Sequence, residues 1–126
     1  MKTRGELETA ISDGVSRFEQ DYFGRGPQHI YAHLIGDLLV ICLQGVLTSA
    51  EQHLVRTLPA EKGRNLLKED RTQLIETARP ALETLVQDVT GVKPRSWHHD
   101  ISTVTGEEIV VFTLEDAPCF REAKKK

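Results

Sequence analysis

The hydrophobic positions of this chain change period along its length. Leu7, Ile11, Val15, Phe18 and Tyr22 recur every three or four residues and predict an amphipathic helix over about 4–22. Gly24, just past that stripe, suits a left-handed C-cap, and Pro27 blocks further helix. The period then falls to two. His29 to Ile35 and Leu38 to Gln44 read as strands joined by Gly36-Asp37, a pair able to supply the positive φ of a type I′ or II′ hairpin turn. A two-residue turn sets Ile35 opposite Leu38, and the register follows from that one pair. It gathers Ile30, Ala32 and Leu34 with Leu39, Ile41 and Leu43 on one aliphatic face, the expected core face. His29, Tyr31, His33 and Ile35 share the opposite face with Leu38, Val40 and Cys42. That second face is too apolar for free solvent and too polar for an ordinary core, so it calls for a cover.

Beyond the hairpin, Thr48-Ser49-Ala50-Glu51 matches a capping box, which gives Glu51 a structural role. A short helix with Leu54, Val55 and Leu58 on one side ends at Pro59. Leu67, Leu74, Ala78, Leu82, Leu85 and Val89 then predict a long helix over about 61–90, closed by Gly91. Pro80 lies inside it and removes one backbone donor. Because the stripe keeps its phase through the proline, a kinked single helix is expected. Residues 92–101 alternate with period two but contain Pro94, the mark of an edge strand or an irregular start. Ser102 to Gly106 form a turn, and the run Glu108–Leu114 is β-branched and aromatic. The order α-β-β-α-α-β-β closes most simply as an α+β two-layer sandwich: a four-stranded, mainly antiparallel sheet made of two hairpins, with helices on one face.

Composition narrows the function classes. A chain of 126 residues fits a single domain, 1–126, with a core over about 4–115 and a tail from residue 116 that ends in three solubilising lysines. A net charge of −3, and strands without interleaved aromatics, give no basis for a nucleic-acid partner. Trp97 and Tyr31 read as packing residues. Cys42 and Cys119 are far apart and lack metal-type spacing, which fits reduced thiols. No apolar run approaches the roughly 20 residues of a membrane helix, and the first eight residues are too polar for a signal peptide. A cytoplasmic location without direct membrane insertion is expected.

Candidate chemistry is sparse. His98-His99-Asp100 with His29 and His33 is the one cluster that resembles metal ligands. His29 and His33 share a strand face but stand about 13 Å apart at 3.3 Å per residue, and adjacent His98 and His99 point to opposite faces. Neither a metal nor a cofactor is expected on this geometry. There is no Ser-His-Asp order, P-loop or Gly-x-Gly-x-x-Gly fingerprint, so no catalytic residue is assigned. Arg25 stands between two glycines on a tight turn, and Arg64, Lys68 and Arg71 fall at i, i+4 and i+7 of the long helix. Arg25 reads as an anion contact or, more plainly, as a solvated arginine at a helix end, and the helix run as an acidic-partner or phosphate surface or, more plainly, a solvated face neutralised by Glu61, Glu69 and Asp70.

An ordered set of short pieces runs through nearly the whole chain. It comprises Gly24-Arg25-Gly26-Pro27, Gly36-Asp37, Gly45-Val46-Leu47-Thr48 with Glu51, Gly63-Arg64, Arg71, Arg79-Pro80, Thr90-Gly91-Val92, Asp100 and Val111-Phe112-Thr113-Leu114. In order and approximate spacing it resembles the YbcI/MpsC-like family of small bacterial domains. The resemblance implies an accessory or regulatory component of a sodium-translocating, membrane-potential-generating system that is also linked to inorganic-carbon supply. It supplies no catalytic residue, and nominates Arg25, Arg64, Arg71 and Asp100 as a polar or anion-binding site. Beside it, the half-apolar hairpin face nominates Tyr31, His33, Leu38, Val40 and Cys42 as an interface, with a homodimer and a membrane-protein partner expected. The competing expectation is a small-molecule or anion-binding domain, possibly enzymatic, built on the arginines.

Overall fold

The computed structural model describes residues 2–24, 26–57 and 60–120. Its elements are α1 (Arg4–Phe23), β1 (His29–Ile35), β2 (Leu38–Gln44), α2 (Ser49–Thr57), α3 (Ala60–Thr90), β3 (Pro94–Ile101) and β4 (Glu108–Leu114). The sheet is antiparallel throughout, in the order β1-β2-β4-β3. This is the expected α+β arrangement of two hairpins. Among the described residues, no helix is long and apolar enough to cross a membrane.

Local chemistry sets the boundaries. Thr3 and Glu6 form a capping box at the start of α1: the Thr3 amide donates to Glu6 Oε1 at 2.9 Å and the Glu6 amide to Thr3 Oγ1 at 3.2 Å. Thr48 and Glu51 repeat the device at α2, with the same 2.9 and 3.2 Å separations. Gly24 closes α1 in the left-handed region at φ 73°. At the first hairpin Gly36 has φ 59° while no described non-glycine residue has positive φ, which selects the II′ form over I′. The register matches the expected one, with Tyr31 opposite Cys42 and His33 opposite Val40. In the second hairpin β3 is an edge strand paired only with β4, and its register shifts between Pro94 and Ser96, where the proline lacks a ladder donor.

Helices cover one side of the sheet. The core joins Leu7, Ile11 and Val15 of α1 and Ile75, Ala78, Leu82 and Val86 of α3 to the inward residues of all four strands, including Ala32, Leu34, Leu39, Ile41, Phe112 and Trp97. Gly14 allows α1 to approach α3 closely; a Cβ there would stand 2.7 Å from Leu85 Cδ1. Helix α3 runs unbroken through Pro80, which lies on its exposed side. The buried arc of α3 corrects the expected one. Leu74 is 37% exposed, whereas Ile75 and Val86 are buried. At about 100° per residue, the arc centred on Arg71, Ile75 and Ala78 is turned roughly 55° from a stripe drawn through Leu74 and Leu85. Leaving a charged residue out of the stripe displaced its centre. In α1, likewise, Tyr22 is exposed while Glu19 continues the buried row of Leu7, Ile11 and Val15. The expectations placed on Arg25, on Leu58 and Pro59, on the Leu54 and Val55 side chains and on the terminal lysines lie outside the described residues.

Candidate functional site

Two features set this domain apart from an ordinary two-layer sandwich: charge on its core side and apolar side chains on its open side. The open face follows from the pairing. Alternate residues of four strands in known register form cross-strand rows. One row is Ile35, Leu38, Thr113 and Ser96; the next is His33, Val40, Val111 and His98; a third is Tyr31, Cys42, Ile109 and Asp100. The central six positions are therefore Leu38, Val40, Cys42, Ile109, Val111 and Thr113, five of them apolar and all half-buried by their neighbours. Around them stand His29, His33, His98, Ser96, Asp100 and Gln44, with Tyr31 49% and Ile35 64% exposed. No described helix packs on this side. An apolar centre inside a polar rim is the usual anatomy of a protein interface. Seven-residue strands at about 3.4 Å per residue, four abreast at about 4.8 Å, give the face a flat footprint of roughly 450 Å². The five interface candidates, Tyr31, His33, Leu38, Val40 and Cys42, all lie on it. Burial pushes the Cys42 thiol above its ordinary range, helped by the Glu107 carboxylate. A protonated thiol fits a contact residue better than a nucleophile.

The three polar-site candidates among the described residues separate. Arg64 and Asp100 line one groove of about 340 Å³ beside the β3–β4 turn, together with Lys68. Lys68 Nζ holds Asp100 Oδ1 at 3.0 Å, and that hydrogen bond, with one from the Ile101 amide, keeps the exposed Asp100 carboxyl below its usual range. Arg71, one turn on from Lys68, faces the core instead, so it joins neither the groove nor a solvated row with Arg64 and Lys68. Arg25 lies outside the described residues.

Arg71 leads to a cluster that pattern reading missed. Its side chain is 3% exposed, and its Nε and one terminal N–H donate to Oε2 of Glu108 at 2.9 and 2.8 Å. Glu108, at the inward end of β4, is fully buried. His99 of β3 brings Nε2 within 3.3 Å of the same oxygen, near enough for charge interaction but without hydrogen-bond geometry. Glu108 Oε1 has no partner among the described residues. Glu19 of α1, 4% exposed, completes the group. Desolvation, then the neighbouring Glu108 charge, push its carboxyl up to about 8 against a smaller opposing pull from Arg71. For Arg71, burial alone would favour the neutral form, but Glu108 and more weakly Glu19 and Glu51 outweigh it and hold the guanidinium above its ordinary range. The Arg71–Glu108 pair ties α3 to β4 from inside, with His99 of β3 beside it. Among the described residues, no three His, Cys, Asp or Glu side chains are placed to hold a metal ion.

Comparison with known proteins gives one family and two relatives. Residues 3–116 match the family model described as "Na+-translocating membrane potential-generating system (MpsC)". The chain is 33% identical over 113 residues to the uncharacterized protein YbcI of Bacillus subtilis (strain 168), covering 90% of this chain and 89% of that one. A second Bacillus subtilis (strain 168) protein, the uncharacterized YrhF, is 31% identical over 66 residues, 52% of each chain. No solved structure matches.

Proposed function

The chain belongs to the MpsC family, and on that premise we propose that it is a non-catalytic, cytoplasmic accessory or regulatory module that pairs with a second copy of itself and serves a membrane-bound ion-translocating or inorganic-carbon system. The observation that carries self-association is the bare sheet face with its apolar centre of Leu38, Val40, Cys42, Ile109 and Val111. Its footprint of roughly 450 Å² takes in the polar rim as well as the apolar centre. It is more than half of the roughly 800 Å² that a standard partner contributes. A second copy provides a matching cover, since a two-fold axis through the Val40–Val111 pair sets apolar centre on apolar centre. The family model supports the membrane-potential setting, and the absence of a crossing helix among the described residues supports a part that acts beside a membrane component rather than as the conduit.

Sedimentation velocity at micromolar concentration tests this. The wild type is expected as a dimer and Val40→Asp as a monomer with unchanged far-ultraviolet circular dichroism. A monomeric wild type removes the reading.

A second reading rests on Arg64, which has no ion-pair partner among the described residues and lines a groove with Lys68. On that reading the domain binds a small anion. A ligand at a hundred times its dissociation constant adds about 2.7 kcal/mol to stability, so a thermal-shift screen with bicarbonate, phosphate and nucleotides decides. No shift from any of them removes it.

A further inference from the structure

The turn between β3 and β4 carries the most exposed large apolar side chain of the described residues. Val104 is 92% exposed, against 64% for Ile35. The turn that presents it is well bonded. The Ser102 amide donates to the Glu107 carbonyl and the Gly106 amide to the Ser102 carbonyl, each at 2.8 Å. The Thr105 amide donates to Ser102 Oγ and the Glu107 amide to Thr105 Oγ1, each at 3.2 Å. These bonds hold a valine out in water at a tip where a polar residue would serve the turn equally well. A groove lies on each side of the tip, and Thr103 and Val104 line both. The first, of about 370 Å³, takes in Arg56 of α2 and no carboxylate among the described residues. The second, of about 340 Å³, takes in Arg64 and Lys68 of α3. Two carboxylates share it: Asp100, 3.0 Å from Lys68 Nζ, and Glu107, whose Oε2 accepts from Gln44 Nε2 at 3.4 Å. Arg56 and Arg64 are both exposed.

We propose that this end of the domain, opposite the Gly36-Asp37 turn, docks on an anionic bilayer surface, with Val104 entering the headgroup–acyl boundary and the guanidinium groups of Arg56 and Arg64 on lipid phosphates to either side. An apolar tip flanked by cations is complementary to a layer of phosphates with hydrocarbon beneath it. One valine is far smaller than the 20–30 residues that a stable protein interface takes from each side, whereas a bilayer offers the same apolar depth at every lateral position. Charge sets the orientation. The chain carries −3 as a whole, so an approach to a negative surface is favoured only with this end leading. Lys68, already held by Asp100, adds less than the two arginines. The proposal takes its membrane setting from the function proposed above but makes no use of the open sheet face, so the vesicle test can fail while the sedimentation test succeeds, and the reverse.

The test is co-sedimentation of the full chain with lipid vesicles. The wild type is expected on equimolar phosphatidylglycerol–phosphatidylcholine vesicles at about 0.1 M salt and off them at about 1 M, where the Debye length falls from about 10 to about 3 Å. Each Lys or Arg near such a surface is worth about fivefold in affinity, so Arg56→Gln with Arg64→Gln is expected to weaken binding about 25-fold. Val104→Asp is expected to weaken it about tenfold. All three side chains are exposed, and unchanged far-ultraviolet circular dichroism is expected for both variants. Absence of wild-type binding to the anionic vesicles, or binding that either variant leaves intact, overturns the proposal. Equal retention on pure phosphatidylcholine overturns the charge complementarity. Release by glycerol 3-phosphate at constant ionic strength makes the grooves a soluble-phosphate site and overturns the bilayer as their occupant.

Discussion

Arg71→Ala is the most demanding perturbation this fold offers. The guanidinium is 3% exposed and the carboxylate it serves is fully buried, so truncation leaves Glu108 in the core without its cation. Breaking one side of such a pair costs about 3–5 kcal/mol, because the surviving charge keeps its desolvation penalty and loses its compensation. For a chain of this length, 1 kcal/mol corresponds to about 4 °C in Tm, which places the expected drop at roughly 12–20 °C. Urea unfolding at pH 7 measures the free energy directly. Replacing both partners, Arg71→Met with Glu108→Leu, is expected to restore stability to within about 1 kcal/mol of the wild type or better, since well-packed apolar residues commonly match a buried ion pair. An Arg71→Ala variant that loses under about 1 kcal/mol, or a double variant no better than the single, would refute the claim that this pair is a desolvated unit.

Three further outcomes are expected. Folded Glu19 holds its proton up to about pH 8 against a reference near 4.5, so the folded state binds more protons across that window and wild-type stability falls as pH rises, by up to about 1.4 kcal/mol per unit; Glu19→Gln should lack this contribution, and parallel urea-derived profiles at pH 5, 7 and 8.5 would disprove it. Gly45→Ala should be worse than Gly36→Ala: both positions have positive φ, a strain of about 1–2 kcal/mol, but a Cβ at Gly45 also meets Gln28 Cγ at 2.6 Å while Gly36 faces open space, and equal thermal shifts would contradict this. Asp100→Asn should change stability by no more than about 0.5 kcal/mol in thermal melts, because the Lys68–Asp100 pair is largely solvated; a loss above 1 kcal/mol would show that the groove is more desolvated than its exposure indicates.

The hairpin faces were legible because one turn determines everything after it. Once Gly36-Asp37 is read as a two-residue connection, every partner from His29 to Gln44 follows, and the structure reproduces that register residue for residue. The helix boundaries were equally local, written in Thr48 and Glu51, Gly24 and Gly91. The interior charges escaped for a related reason. Apolar stripes are drawn by leaving charged residues out, yet Glu19 continues the i+4 row of Leu7, Ile11 and Val15, Arg71 lies between Leu67 and Ile75, and Glu108 precedes Val110, Phe112 and Leu114 at the same two-residue spacing. Each charge is in phase with a core row of its own element. One such residue is easily accommodated at a helix end or strand edge, but one acidic residue in α1, one basic in α3 and one acidic at the start of β4 are complementary once the layers close. What pattern alone lacks is the register between layers. The order β1-β2-β4-β3 places β4 in the interior of the sheet, and only then do Glu108 and Arg71 face each other. In-phase charges of opposite sign on different elements are therefore a usable signal for a buried pair, and a third such charge of either sign points to a proton that the pair does not account for.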